Sequence, residues 1–225
     1  EVIEAAVIKI VSLKADKQLA RVLLDHQYDW IFFTSQNGVL EFSSFLNRIG
    51  KDIRILANAK ICCIGPKTKE SLEEKGIKAD FLPQRFYSEA IIRHFKKPEF
   101  KGKNVLILRA KQARDVLPQG LGRAGLAVKV IDLYESCIEK GSVLKIKEAL
   151  REGIDLVTFT SSSTVRNFLK LLGKDYRRRL SGIKIASIGP ITSGTLKEFG
   201  LRADIEAKVF TIDGLTEAIT KFTHD

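Results

Sequence analysis

The amino-acid sequence predicts an α/β protein of two similar halves, each a parallel β-sheet flanked by helices. Three observations carry this. The 225-residue chain repeats its own motifs in the same order. Strand-like and helix-like segments alternate within each copy. And each apolar strand of the repeat runs into residues that start helices: Thr-Ser after one, Gly-Pro after the next.

The repeat is read directly from the residues. Tyr28-Asp29-Trp30-Ile31-Phe32-Phe33-Thr34-Ser35 is echoed by Ile154-Asp155-Leu156-Val157-Thr158-Phe159-Thr160-Ser161, an offset of 126 (Ser35 to Ser161). Ile64-Gly65-Pro66-Lys67-Thr68 matches Ile188-Gly189-Pro190-Ile191-Thr192, an offset of 124 (Thr68 to Thr192). Gly76-Ile77-Lys78-Ala79-Asp80 matches Gly200-Leu201-Arg202-Ala203-Asp204 at the same 124. Ordered self-similarity at a nearly constant spacing marks two homologous half-molecules.

Each element then follows. Trp30 to Phe33 and Leu156 to Phe159 are short apolar, aromatic and β-branched runs, hence buried strands. Thr-Ser caps the next helix, whose period shows in Val39, Phe42, Phe45 and Leu46 and again in Val165, Phe168, Leu169 and Leu172. Lys60 to Ile64 and Lys184 to Ile188 are the next strands. Gly-Pro opens the helix after each, and Gly76 or Gly200 stops it. Lys103 to Arg109 reads as the opening strand of a half, followed by a helix over Ala113 to Ala124 and a strand from Ala127 to Tyr134. Such alternation implies parallel sheets covered on both faces. The counterpart of the Lys103 strand in the other copy falls before residue 1, and the sequence contains no methionine. Roughly 20 to 25 residues, one strand among them, are therefore expected to precede Glu1 in the native protein.

Composition narrows the class. No apolar run approaches the ~20 residues that span a bilayer, so no membrane segment is expected. The first ten residues carry Glu1 and Glu4 and lack a small-residue cleavage site, so no signal peptide is read. Cys62 and Cys63 are adjacent in an apolar run, which suggests no disulfide framework and a reducing, cytoplasmic setting. The net charge of +11 attracts anions, either nucleic acid or a polycarboxylate small molecule. The densest basic cluster, Arg177-Arg178-Arg179, has no interleaved aromatics and reads as a solvated loop, so no nucleic-acid partner is expected.

Ligands of parallel sheets bind beyond the carboxyl ends of the strands, where helix N-termini present free N–H groups. Four such corners are visible. Ser35-Gln36-Asn37 and Ser161-Ser162-Ser163 form one pair; Gly65-Pro66-Lys67-Thr68 and Gly189-Pro190-Ile191-Thr192 form the other. Taken singly, each hydroxyl reads as a helix cap. Four at equivalent positions point to a cleft that binds carboxylates. Other chemistries find no footing. His26, His94 and His224 lack ligand spacing, so no metal is expected. The Gly-Pro corners lack both the dinucleotide fingerprint and the P-loop lysine, so no cofactor is expected. Gly120-Leu121-Gly122 falls within the predicted helix rather than after a strand. Tyr134 reads as a core or hinge aromatic at the end of its strand.

These motifs in this order resemble uroporphyrinogen-III synthase. The resemblance rests on Phe-Thr-Ser after an Asp-aromatic-apolar strand, Ile-Gly-Pro-x-Thr before a helix, Leu108-Arg109 followed by Ala113-Arg114-Asp115-Val116-Leu117-Pro118, and Val130-Ile131-Asp132-Leu133-Tyr134. It covers essentially the whole chain. It implies two α/β lobes joined by two antiparallel linker strands, about Ala6 to Ile10 and Tyr134 to Ile138, with the active-site cleft between the lobes. One lobe would be continuous, Val11 to Leu133. The other would comprise residues 139–225 plus the strand expected before residue 1.

The implied reaction is a cofactor-free lyase step that cyclises and dehydrates hydroxymethylbilane to uroporphyrinogen III, inverting ring D through a spiro intermediate. Tyr134 matches the family tyrosine proposed to assist hydroxyl departure. Ser35, Gln36, Gly65, Thr68, Ser161, Ser162, Gly189 and Thr192 would hold the substrate carboxylates, with Lys67 and Arg109 as additions. Because Pro66 and Pro190 lack an N–H, binding is expected to lean on the amides of residues 67–68 and 191–192. The resemblance implies haem biosynthesis, with the preceding hydroxymethylbilane synthase as a possible partner. From the residues a monomer is expected. The principal rival is a non-catalytic two-lobe protein that captures an anion in the same cleft.

Overall fold

A computed structural model describes residues 1–25 and 27–224. His26, one of the histidines discounted as a metal ligand, lies outside them, as does the side chain of His224. The chain divides into two compact units, Ile10–Ser136 and Glu1–Lys9 with Cys137–Asp225.

Starting just ahead of the first unit, the elements run β1 (Ile8–Ser12), α1 (Asp16–Asp25), β2 (Trp30–Phe33), α2 (Gln36–Arg48), β3 (Lys60–Cys63) and α3 (Pro66–Glu73). They continue with α4 (Ser88–Phe95), β4 (Asn104–Ala110), α5 (Val116–Arg123) and β5 (Ala127–Ile138). Its sheet has the order β1-β5-β4-β2-β3. β2 pairs in parallel with β3 and β4, and β4 with β5. β1 joins β5 at the edge with the opposite sense. Leu13 N–H donates to the Leu133 carbonyl at 3.0 Å, and Glu139 N–H to the Val7 carbonyl at 3.3 Å, so one partner number rises as the other falls. This sheet is therefore mixed: β2, β3, β4 and β5 run parallel, and β1 runs antiparallel to β5 at the edge. The cause is chain direction: β1 carries the chain into this unit and β5 carries it out. The helix expected over 113–124 starts only at Val116.

Strand alternation builds a core on each face. Ile31, Phe33, Ile61, Leu106 and Leu108 face α1, α2 and α3. Trp30, Phe32, Cys62, Val105 and Ile107 face α4 and α5. Both sets are buried, as in a sheet covered by helices on both sides. One glycine of α5 has a packing reason: a methyl group on Gly120 would collide with Ile92 of α4, so this glycine serves close helix packing.

The second unit contains α6 (Ser142–Glu152), β6 (Leu156–Phe159), α7 (Ser162–Leu172), α8 (Tyr176–Arg179), β7 (Lys184–Ser187), α9 (Pro190–Glu198), β8 (Ile205–Glu206) and α10 (Ile212–His224). Its sheet is parallel, in the order β6-β7-β8. Residues 177–179, expected as a loop, form part of the short helix α8, and Arg177 donates to the Phe199 carbonyl at the end of α9.

The two copies of the repeat pack alike. Phe33 meets Phe42, and Phe159 meets Phe168, both edge-on at 5.4 Å between ring centroids. Gly76 and Gly200 take left-handed φ values of 74° and 70°. There Ile77 N–H bonds the Leu72 carbonyl and Leu201 N–H the Leu196 carbonyl, which closes each helix. Asp80 accepts from Ile61 N–H at 2.7 Å, and Asp204 from Ile185 N–H at 2.8 Å. The Gly-x-x-Ala-Asp motif thus ties each helix exit to the neighbouring strand.

Candidate active site

Parallel pairing puts the corners side by side within each unit. Phe33 is level with Cys63, so Ser35 and Gly65 lie together beyond the strand ends. Phe159 is likewise level with Ser187, which sets Ser161 beside Gly189. Ser35 caps α2 from an extended conformation, and its Oγ accepts from Gly38 N–H at 3.0 Å. Gln36 is exposed in the first turn.

Gly65 caps α3 with no side chain to offer, and Pro66 follows at the first helical position. Lys67 is exposed, whereas Thr68 is buried. The Thr68 N–H already bonds the Gly65 carbonyl at 3.1 Å, so of the two amides expected to serve a ligand here, Lys67 supplies the unengaged one.

Tyr134 reaches the first corner because β5 carries a bulge. Pairing with β4 runs regularly to Arg109–Asp132, then jumps to Ala110–Tyr134 and leaves Leu133 as the extra residue. Ile131 and Leu133 face the α2 side of the sheet, and strict alternation would send Tyr134 to the other. The bulge turns it back, so Leu133 and Tyr134 are both buried in the same core. With the ring only 5% exposed, the Tyr134 hydroxyl lies 2.8 Å from Ser35 Oγ.

Arg109 takes a different direction. It projects toward α5, where Nε donates to Asp132 at 2.9 Å and Nη1 to Asp115 at 2.8 Å, with the side chain 11% exposed. Burial opposes its charge, but the hydrogen bonds it donates to Asp115 and Asp132 outweigh that and raise its pKa. The geometry accounts for Arg109 as a brace between β4, β5 and the start of α5, on the face opposite Tyr134.

In the second unit, Ser161 caps α7 through a full capping box with Thr164, and its Oγ lies 2.9 Å from Ser163 Oγ. Ser162 accepts from the Thr195 hydroxyl at 2.7 Å, which ties α7 to α9. Gly189 caps α9 and Thr192 is buried in its first turn. Beneath this corner is a polar network that sequence reading missed. Ser187 Oγ and Ser193 Oγ are 2.6 Å apart, and Ser193 also donates to Glu206. The signal available was Ser187 in an otherwise apolar strand, where the first copy has Cys63.

A cavity of about 780 Å³ lies elsewhere in the first unit. Its walls include Gln18, Gln27, Asn104 and Lys129 at the amino-terminal ends of β4 and β5, and it contains none of the corner residues. No helix among the described residues is long and apolar enough to cross a membrane.

The family model described as "Uroporphyrinogen-III synthase HemD" matches residues 1–217. A uroporphyrinogen-III synthase of Synechococcus elongatus is 35% identical over 97% of this chain and 86% of its own length. One from Chlorobaculum parvum is 28% identical over 85% of this chain and 78% of its own. Among solved structures, the Helicobacter pylori uroporphyrinogen-III synthetase superposes with a TM-score of 0.67 at 21% identity, covering 96% of this chain and 91% of that one. A mutant form of the Thermus thermophilus enzyme gives 0.63 at 20% identity, covering 97% and 86%. The last two show the fold; the near full-length sequence matches show descent, and the chain belongs to the uroporphyrinogen-III synthase family.

Proposed function

We propose that this chain cyclises hydroxymethylbilane to uroporphyrinogen III, a lyase reaction of tetrapyrrole biosynthesis, and that Tyr134 and Ser35 serve its first step. The observation that carries this reading is the 2.8 Å contact between their hydroxyls at the helix-capping corner of α2.

The step to be assisted is loss of the terminal hydroxyl. The pyrrole nitrogen lone pair pushes out the C–O bonding electrons, leaving an azafulvenium cation that keeps its N–H, and the departing oxygen needs a proton to become water. Tyr134 supplies a donor for that oxygen. Ring D then attacks through its substituted carbon. The spiro intermediate fragments and recloses with ring D inverted, and the proton lost as the pyrrole rearomatises balances the one given to water.

Ser35 sets the direction of the donor. Its hydroxyl carries one hydrogen and two lone pairs, and Gly38 N–H occupies one lone pair. When Ser35 gives its hydrogen to Tyr134 Oη, the phenolic hydrogen is left for the substrate. The burial of Tyr134 fixes the ring, so the donor is positioned before the substrate arrives.

The amides of Lys67, Ile191 and Thr192, with the Thr68 and Thr192 hydroxyls, are suited to hold carboxylates. The net charge of +11 favours arrival of a polyanion. The enzyme is read as a cytoplasmic monomer that takes its substrate from hydroxymethylbilane synthase. Lobe and linker assignments follow the sequence reading, with residues 6–10 and 134–138 as linkers.

The test supplies hydroxymethylbilane, generated in place from porphobilinogen, and separates the oxidised products by chromatography. Predominantly type III isomer supports the reading. Only type I isomer from folded protein would remove it and leave the anion-binding protein in front.

A further inference from the structure

We propose that Phe86 and Phe210 are substrate-positioning residues, each an apolar wall beside a Gly-Pro corner against which a pyrrole ring of the substrate packs. The inference rests on the reading above and adds a contact class to it. Phe86 and Phe210 are separated by 124 residues, the same offset as Gly65 and Gly189. In each unit the phenylalanine lies against the corner glycine. A methyl group on Gly65 would sit 3.7 Å from Phe86 Cβ, and one on Gly189 only 2.7 Å from Phe210 Cδ1.

Both rings are largely open to solvent, 54% for Phe86 and 63% for Phe210. Each precedes the cap residue of the next helix, Tyr87 before α4 and Thr211 before α10, a position where an apolar residue often packs on the first turn. A packing role of that kind would bury the ring, and these rings are not buried. Single exposed apolar side chains are ordinary on protein surfaces. Two aromatics at matched positions in a duplicated chain, each against the glycine of an anion corner, are not scatter, and exposed apolar surface rimmed by polar groups marks a binding site.

The chemistry of each corner completes the case. Each corner joins the buried Thr68 or Thr192 in its first helical turn to an exposed aromatic ring beside its glycine. A pyrrole carrying carboxylate arms matches that pairing of apolar ring and anion. At the second corner a methyl group on Gly189 would crowd the Phe210 ring and displace it.

The test measures steady-state kinetics and product isomers for Phe86→Ala, Phe210→Ala, their leucine counterparts and Gly189→Ala. Leu144→Ala on α6 serves as an exposed apolar control, and thermal midpoints are recorded throughout. The alanine variants are expected to raise KM about tenfold each, with kcat within about twofold. Leucine should recover part of the loss, and Gly189→Ala should behave as Phe210→Ala does. Unchanged KM in both alanine variants, with wild-type protein still making type III isomer, would overturn the inference while leaving the functional reading intact. A KM loss matched by Leu144→Ala, or accompanied by a lowered thermal midpoint, would also overturn it.

Discussion

Ser35 and Tyr134 stand 99 positions apart in the chain, yet their hydroxyls are 2.8 Å apart. Two local features bring them together. Ser35 is fixed as the cap of α2 by the Gly38 N–H, and the bulge at Leu133 turns Tyr134 onto the same face of the sheet. A hydroxyl that caps a helix is thereby also the neighbour of a phenol buried in that core at the strand end.

Arg109 is expected to act on stability rather than on substrate. Arg109→Met leaves Asp132 and Asp115 without their partner and should cost about 1–3 kcal/mol in denaturant titration. KM for the bilane should stay within about twofold. A tenfold rise in KM with unchanged stability would return Arg109 to the binding site.

Asp80 and Asp204 should prove equivalent. Each accepts from a strand amide, at 2.7 Å and 2.8 Å, and its removal strands that N–H. Asp80→Ala and Asp204→Ala are each expected to lose about 1–3 kcal/mol of stability and to leave the isomer ratio unchanged. Circular dichroism melts with product chromatography would check both. A shifted isomer ratio in stably folded protein would contradict a structural role.

The adjacent thiols give a pH prediction. Burial pushes the Cys63 thiol up to about 11 and Cys62 also well above its usual range. Folding therefore favours the neutral thiols. Their contribution to stability is intact below the ordinary thiol pKa, near 9, and lost as pH rises from there toward about 11. Urea midpoints should fall across that window, and less so for Cys63→Ala. In native protein at neutral pH, an alkylating reagent should label half-buried Cys137 well ahead of the other two. Rapid labelling of Cys62 or Cys63 would show that this strand opens readily.

Much of this was legible in the sequence because it was written twice. The strands ending at Phe33 and Phe159, the Ser35 and Ser161 caps and the glycine stops at 76 and 200 depend on local propensity, and duplication doubled each signal. The antiparallel edge strand was not legible from the residues, since a short apolar run carries no direction. Nor was the bulge, because both Leu133 and Tyr134 suit either face of a buried strand. Arg109 looked available because its partners, Asp115 and Asp132, are brought to it only by the fold. Phe86 and Phe210 went unnoticed because their flanking residues differ, although their spacing equals that of the corners.

The central claim, that Ser35 aims the Tyr134 hydroxyl at the departing group, is tested most directly by a double-mutant cycle in single-turnover kinetics of bilane consumption. Tyr134→Phe should slow the reaction on the order of a hundredfold. Ser35→Gly, which spares the helix cap to within a few tenths of a kcal/mol, should slow it about tenfold. The double variant should be no slower than Tyr134→Phe alone, because serine acts only through the phenol. Effects that multiply, or a Tyr134→Phe variant as fast as the wild type, would contradict the account.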